Sequence, residues 1–306
     1  MGSFAGVINV CKEKGYTSFD VVAILRRLFK VKCGHTGTLD PNATGVLPIC
    51  LGNATKFSEY FMGGRKSYTA EVVLGITTDT GDTTGNVLAR NTCFVCTTGF
   101  SVSDESIREK RVSRQDIINA VLSFKGKQEQ VPPMYSAIKV GGRRLYEIAR
   151  KGQVVERKAR PVEIYDIEAH SFCETGFLLN VDCSKGTYIR SLCTDIGEKL
   201  GCGAAMGSLE RTASGPFHIN DALTIGEIEA HSNVWSLAKP IEELLPYPVA
   251  YIVPAYVKNA KNGNAVKLTN LISYDENSKK HWLKDENDLI GLFRLEAESI
   301  KCEVML

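Results

Sequence analysis

An α+β fold is predicted from three features of the chain. Strand-like and helix-like stretches follow one another without a regular strand-helix-strand repeat, two amphipathic helical stripes lie far apart, and prolines at 240, 246, 248 and 254 separate a long first part from a short β-rich tail. With 306 residues, 43% hydrophobic and 24% charged, the chain can bury one large core and a second small one. In order, Thr17-Ser18-Phe19-Asp20 reads as a capping box. The helix it opens turns Val21, Leu25, Leu28 and Phe29 inward and keeps Arg26, Arg27 and Lys30 outside. It delivers the chain to Gly34-His35-Thr36-Gly37-Thr38-Leu39-Asp40-Pro41-Asn42-Ala43-Thr44-Gly45-Val46-Leu47-Pro48. The glycines permit tight turns there and Pro41 extends the backbone at Asp40, so this carboxylate is displayed on a shaped loop. Local chemistry fits a nucleophile and a plain helix-opening turn about equally, whereas a phosphate loop lacks its Gly-Lys-Ser/Thr ending. Residues 68–74 read as a strand, and 177–183 alternate as another. Ile189, Leu192 and Ile196 form the second helical stripe, ending near Gly201. Beyond the prolines, 289–295 and 302–306 are strand-like, in a tail with eight basic and eight acidic residues.

Composition excludes several classes. No run approaches the roughly 18 apolar residues of a membrane span, residues 1–10 lack the basic start of a secretory signal, and Gly6 stands where a myristoylation motif has Ser or Thr. The cytoplasm is the expected compartment. Ten scattered cysteines, among them Cys50, Cys183 and Cys193 inside apolar runs, read as reduced core residues. Cys93-Phe94-Val95-Cys96 has metal-like spacing but no second pair to complete four ligands, and the His-x-Glu and Pro-Cys-x-x-Cys pair of a zinc-dependent base deaminase is absent. Net charge is only +2, but residues 125–160 hold ten basic residues against three acidic ones, a local +7. With Tyr135 and Tyr146 interleaved, that stretch suits phosphates and unstacked bases, or is a solvated basic loop.

The Asp40 stretch, continuing to Ala54-Thr55-Lys56-Phe57, resembles the catalytic motif of the TruB family, the bacterial tRNA pseudouridine-55 synthases. Lys66-Ser67-Tyr68-Thr69-Ala70, Lys185-Gly186-Thr187-Tyr188-Ile189-Arg190 and Ser208-Leu209-Glu210-Arg211-Thr212 match further family segments in the same order. The resemblance implies a pseudouridine synthase fold: a mixed, largely antiparallel sheet flanked by helices, with a small C-terminal β-rich PUA-like domain. Residues 1–248 would be catalytic, with a T-arm-binding insertion at about 125–160, and 249–306 a short RNA-binding module, where Lys258, Lys261, Asn262-Gly263-Asn264 and Val266 resemble the opening of the family's module.

The implied roles follow the motifs. Asp40 is the essential aspartate, Arg190 its cationic partner, and Tyr68 packs on the target base and takes part in proton transfer. His35 fills the space left by the flipped base, Leu209 walls the uracil, Tyr188 reaches the nucleotide, and Asp82, in Thr78-Asp79-Thr80-Gly81-Asp82, joins the network of Asp40 and Arg190. Arg143 and Arg144, with Gln130-Val131-Pro132-Pro133-Met134-Tyr135-Ser136-Ala137, belong to the tRNA clasp. Taken singly, the same residues also read as a helix-start arginine, a strand tyrosine, a turn histidine, a core leucine and a calcium loop without its later glutamate.

Turning uridine into pseudouridine exchanges a C1′–N1 bond for a C1′–C5 bond with no net oxidation or hydrolysis, so no cofactor or metal is expected. The expected partner is tRNA, bound by a monomer. Two departures from the family are visible. Cys11-Lys12-Glu13 stands where Asp-Lys-Pro is usual, in a stretch read as structural support, and the segment Glu210-Arg211-Thr212-Ala213 lacks one arginine common in the family, which trims a phosphate interaction. Two other readings are an isomerase acting on other RNA, as guide-dependent relatives do, and an RNA-folding protein in which catalysis is secondary.

Overall fold

A computed structural model of the chain describes residues 5–96, 110–136 and 138–306. Ala137, the last residue of the Gln130 motif, lies outside them. The sequence alternates short runs of β-branched and small residues, and these assemble into one ten-stranded sheet. Its main path runs Lys239–Pro240, Ala5–Lys12, Thr44–Gly52, Ala204–Ser214, Lys66–Leu74, Gly176–Cys183, Arg160–Cys173, Gly126–Gln130. Cys33–His35 adds to the Thr44 strand, and Phe217–His218 to the Ala204 strand. Among the described residues one pairing in this sheet is parallel, Thr44–Gly52 with Ala204–Ser214, registered by Glu210 on Thr44 and Arg211 on Gly45. The sheet is thus mixed and largely antiparallel, as expected, and its one parallel seam brings the chain just after Asp40 against Arg211.

Gly45 is required at that seam. Its φ is +98°, and a Cβ there would run into the Arg211 carbonyl, so the backbones approach as they do only without a side chain.

Among the described residues three buried cores pack on the sheet, two of them beneath its long helices. The first helix, Ser18–Phe29, is capped by Thr17 with the reciprocal Asp20 bond, an arrangement contributing about 0.5–2 kcal/mol. It buries Val21, Leu25 and Phe29 on Ile8, Val10, Leu47 and Ile49. Further along, the helix Ile189–Lys199 buries Ile189, Leu192, Cys193 and Ile196 against Ala70, Val72, Leu179 and Val181. Cys50, Cys183 and Cys193 are buried free thiols, each pushed up to about 12 by burial, as inert core cysteines are.

From Val249 onward the chain forms a separate six-stranded sheet, ordered Val266–Lys267, Ser299–Met305, Leu289–Leu295, Lys280–Lys284, Val249–Ile252, Leu271–Ser273. Its own core includes Ala250, Ile252, Leu283 and Phe293. It is not tethered loosely. Trp282 is fully buried, donates its indole N–H to the Leu245 carbonyl at 2.9 Å, and meets the Phe57 ring at 5.3 Å in a core shared with Val7, Val46 and Cys50.

Candidate active site

The loop that carries Asp40 is held from three sides. Ser18, at the start of the first helix, accepts the Leu39 N–H at 2.9 Å and donates to the Leu39 carbonyl at 3.1 Å. Lys12 has a fully buried side chain and donates to the carbonyls of Glu13, Tyr16 and Pro41 at 3.0, 2.7 and 3.2 Å. Arg211 is 1% exposed and donates to Val46, Gly37 and Thr38 carbonyls at 2.7, 3.1 and 3.5 Å. Two buried cations therefore tie the backbone on either side of Asp40. Buried cations with their donors satisfied by carbonyls fix geometry, and breaking one leaves unpaired polar groups.

Asp40 itself stays accessible, its side chain about half exposed, with one oxygen 3.1 Å from the Arg190 guanidinium. Arg190 enters from the first turn of its helix and is buried. Its remaining partners are the Tyr135 carbonyl at 2.7 Å, the Thr80 carbonyl at 3.2 Å and Asp82 at 3.5 Å. Asp82 is oriented in turn by the Thr80 hydroxyl at 3.0 Å and by the Thr84 N–H and hydroxyl at 3.0 and 2.6 Å. The planar fork thus links one accessible carboxylate to one enclosed carboxylate and to the insertion. The calcium-loop reading of residues 78–82 has no support here, since Asp82 spends its oxygens on hydroxyls, a backbone N–H and Arg190.

Tyr68 lies opposite Arg211 across the Lys66–Leu74 and Ala204–Ser214 strands. Burial pushes its phenol above the ordinary tyrosine value, the Arg211 guanidinium opposes that rise, and Asp40 adds to it. His35 meets Phe19 edge-on, with ring centroids 5.4 Å apart, and burial, then Arg211, lowers its pKa, favouring the neutral ring. Leu209 is registered on Ala70, two pairs along from Tyr68.

A cleft of about 750 Å³ opens over this group. Asp40, Asp82, Arg190, His35 and Leu209 line it, and the insertion adds Tyr135, Arg144, Tyr146 and Arg150. Tyr68 and Tyr188 do not line it in this conformation. Tyr68 is half-buried beside Arg211, while the Tyr188 backbone is clamped by Gln130 through bonds of 2.8 and 3.0 Å. Arg143 is exposed outside the cleft lining, whereas Arg144 bonds the Tyr146 hydroxyl at 3.0 Å and Arg150 lies 5.5 Å over the same ring. The sequence assigns Arg211 no role of its own, and the structure gives it an internal one: a fully buried side chain bonded to three carbonyls cannot meet phosphate. The anchoring of the loop by Ser18, and the grip of Lys12 on Pro41, were likewise not foreseen. The usable signal for Ser18 was its helical register with the buried positions 21, 25 and 29, which gives it an inward-facing hydroxyl.

Comparison with known proteins bears on the family and the fold. Residues 26–189 match the model for the TruB family pseudouridylate synthase N-terminal domain, and residues 190–252 that for the tRNA pseudouridylate synthase B C-terminal domain. The chain is 46% identical over 269 residues to the tRNA pseudouridine synthase B of Alkaliphilus oremlandii, covering 87% of this chain and 84% of that one. To its counterpart from Clostridium kluyveri it is 44% identical, over 94% of both chains. Among solved structures, that of a Cbf5-Nop10-Gar1 complex superposes with a TM-score of 0.68 at 25% identity, over 99% of this chain and 84% of that chain. An H/ACA RNP bound to a substrate RNA containing 2′-deoxyuridine gives 0.66 at 23%, over 98% and 84%, and shows the fold. A family model spanning more than half the chain, and relatives above 40% identity along most of it, establish that this protein belongs to the TruB family of pseudouridylate synthases.

Proposed function

We propose that this protein isomerises uridine 55 in the T-loop of tRNA to pseudouridine, with Asp40 as the group that acts at ribose C1′. The observation that carries the reading is the Arg190–Asp40 pair, 3.1 Å apart at the floor of a cleft, on a loop that two buried cations hold still. Extracting the nucleotide from its stack brings C1′ to this carboxylate. There Asp40 stabilises cationic character or bonds to C1′ as the C1′–N1 bond breaks. The freed uracil turns against Leu209 and rejoins through C5, and the C5 proton is lost as N1 gains one. Tyr68 packs on the base and serves this transfer, its phenol held neutral by burial. His35 fills the gap in the RNA, Asp82 keeps Arg190 aimed, and Tyr188 reaches the nucleotide once the insertion moves from its present clamp. The isomerisation balances without a cofactor or metal.

In this reading residues 1–248 are the catalytic unit, 125–160 grip the T-arm through Arg143, Arg144 and their neighbours, and 249–306 are a PUA-like RNA-binding module. The protein works as a monomer in the cytoplasm, where its substrate is. Among the described residues no helix is long and apolar enough to cross a membrane. The test is a nucleoside-resolved assay on unmodified tRNA: pseudouridine forms at the T-loop position and nowhere else. Conversion only with an added guide RNA, or none by the intact chain, overturns the proposal.

A further inference from the structure

Phe19 is 65% exposed, although it sits in the first turn of a helix whose inward face is Ser18, Val21, Leu25 and Phe29. Its ring contributes nothing to the core. It lines the catalytic cleft, and its described ring partner is His35, met edge-on with 5.4 Å between centroids and 79° between planes. A single exposed ring is ordinary on a protein surface, but one at the rim of a cleft offers apolar area for a bound ligand to cover.

The chemistry of the surrounding wall says what kind of ligand group fits. Thr17, Ser18, Phe19, His35 and Thr38 form this side of the cleft, and none carries a positive charge with His35 held toward its neutral form. The cleft's cations lie elsewhere: Arg144 and Arg150 on the insertion, Arg190 at the floor. Phosphates are drawn to the insertion side. The Phe19 side offers them no side-chain cation, and presents the Phe19 face, with His35 edge-on to it at 79°, to a flat, uncharged π surface.

We infer that Phe19 is an RNA-positioning residue, a stacking platform for one unstacked T-loop base other than the uridine being isomerised. This rests on the proposed RNA substrate. Stacking on Phe19 orients the loop so that His35 enters beside it, and the contribution lies in binding and register, with no part in bond making. A ring accepts any base, so the interaction is sequence-tolerant.

The experiment uses the full chain and a T-arm stem-loop. Phe19→Ala should weaken stem-loop binding by about 5- to 150-fold, the range expected for removing one base-aromatic stack. The single-turnover rate at saturating RNA should change less than about threefold, and the salt dependence of binding should keep its slope because every phosphate keeps its cation. Phe19→Trp should restore affinity and Phe19→Leu should not. An abasic substitution at each loop nucleotide in turn then identifies the partner: at one position it costs the parent as much as Phe19→Ala, and costs Phe19→Ala almost nothing more. Unchanged affinity in Phe19→Ala, equal rescue by Leu and Trp, or a changed salt slope each overturns the inference. Conversion of the stem-loop by the unsubstituted chain is scored separately, so a failure of the enzyme reading is distinct from a failure of the platform.

Discussion

The Asp40 loop and the 125–160 insertion both bring charge to one cleft, and they do it in opposite ways. Around Asp40 the cations are buried, and Lys12 and Arg211 spend their donors on backbone carbonyls at 2.7–3.5 Å. In the insertion they stand at the surface, stacked on a tyrosine, as Arg144 and Arg150 do with Tyr146. Where its hydrogen bonds go decides what the same charge is left free to do. A cation whose donors are consumed by the protein sets geometry, and one with donors to spare captures a ligand.

Substitutions can separate the two. The largest effect is expected at the floor: Asp40→Asn removes turnover altogether while tRNA affinity stays within a few fold, because the insertion is untouched. Measurable isomerisation near the parent rate would remove Asp40 from the chemistry. Arg190→Lys should cut the single-turnover rate by about a hundredfold or more, since a point charge cannot hold Asp40, Asp82 and the Tyr135 carbonyl together.

Arg211→Met comes next. It leaves three carbonyls without their donor and should lower stability by about 2–4 kcal/mol in urea unfolding, with slower turnover and little change in affinity. A variant as stable as the parent would mean that the loop is held by Lys12 and Ser18 alone.

On the capture side, Arg144→Glu should weaken binding and flatten its logarithmic salt slope by about 0.7–0.9 for each phosphate it no longer neutralises. Arg143→Glu, outside the cleft lining, should do less. Equal effects at both positions would mean that RNA lies along the whole insertion and not chiefly at its cleft edge.

The smallest effect concerns Lys66, buried beside Arg211, whose amine is brought down to about 8 by burial and then by that guanidinium. Between that value and the usual 10.5 the unfolded chain binds more protons than the folded one, so stability rises with pH across the window. The urea midpoint of the parent should climb relative to Lys66→Met from pH 8 to 10. Parallel curves would show that Lys66 stays charged when folded.

Much of this was legible from the chain because its signals are local. The capping box at Thr17 and Asp20, the turn-formers around Asp40 and the alternation at 177–183 each act within a few residues, and each appears where the sequence puts it. Arg211 was illegible for the opposite reason. One arginine in an alternating strand looks the same exposed or buried, and its burial follows from bonding Val46, 165 residues earlier, across the parallel seam. The insertion showed its charge in sequence but not its aim, since only the folded cleft separates Arg144 from Arg143. Phe19 was read only as a letter in a capping motif.

Trp282 adds a consequence in time. Its partner Phe57 is made 225 residues earlier, and translation at 5–20 residues per second separates the two by roughly 10–45 s. The last strand of the large sheet ends at Pro240, so for roughly 2–8 s before Trp282 is made the complete sheet carries an uncovered aromatic pocket bordered by Val7, Val46 and Cys50. The Thr44 strand that presents Asp40 runs through this pocket, since Val46 and Cys50 both belong to it. Until Trp282 arrives that pocket is open to non-native contacts, and the C-terminal sheet closes it against the strand that leads away from Asp40.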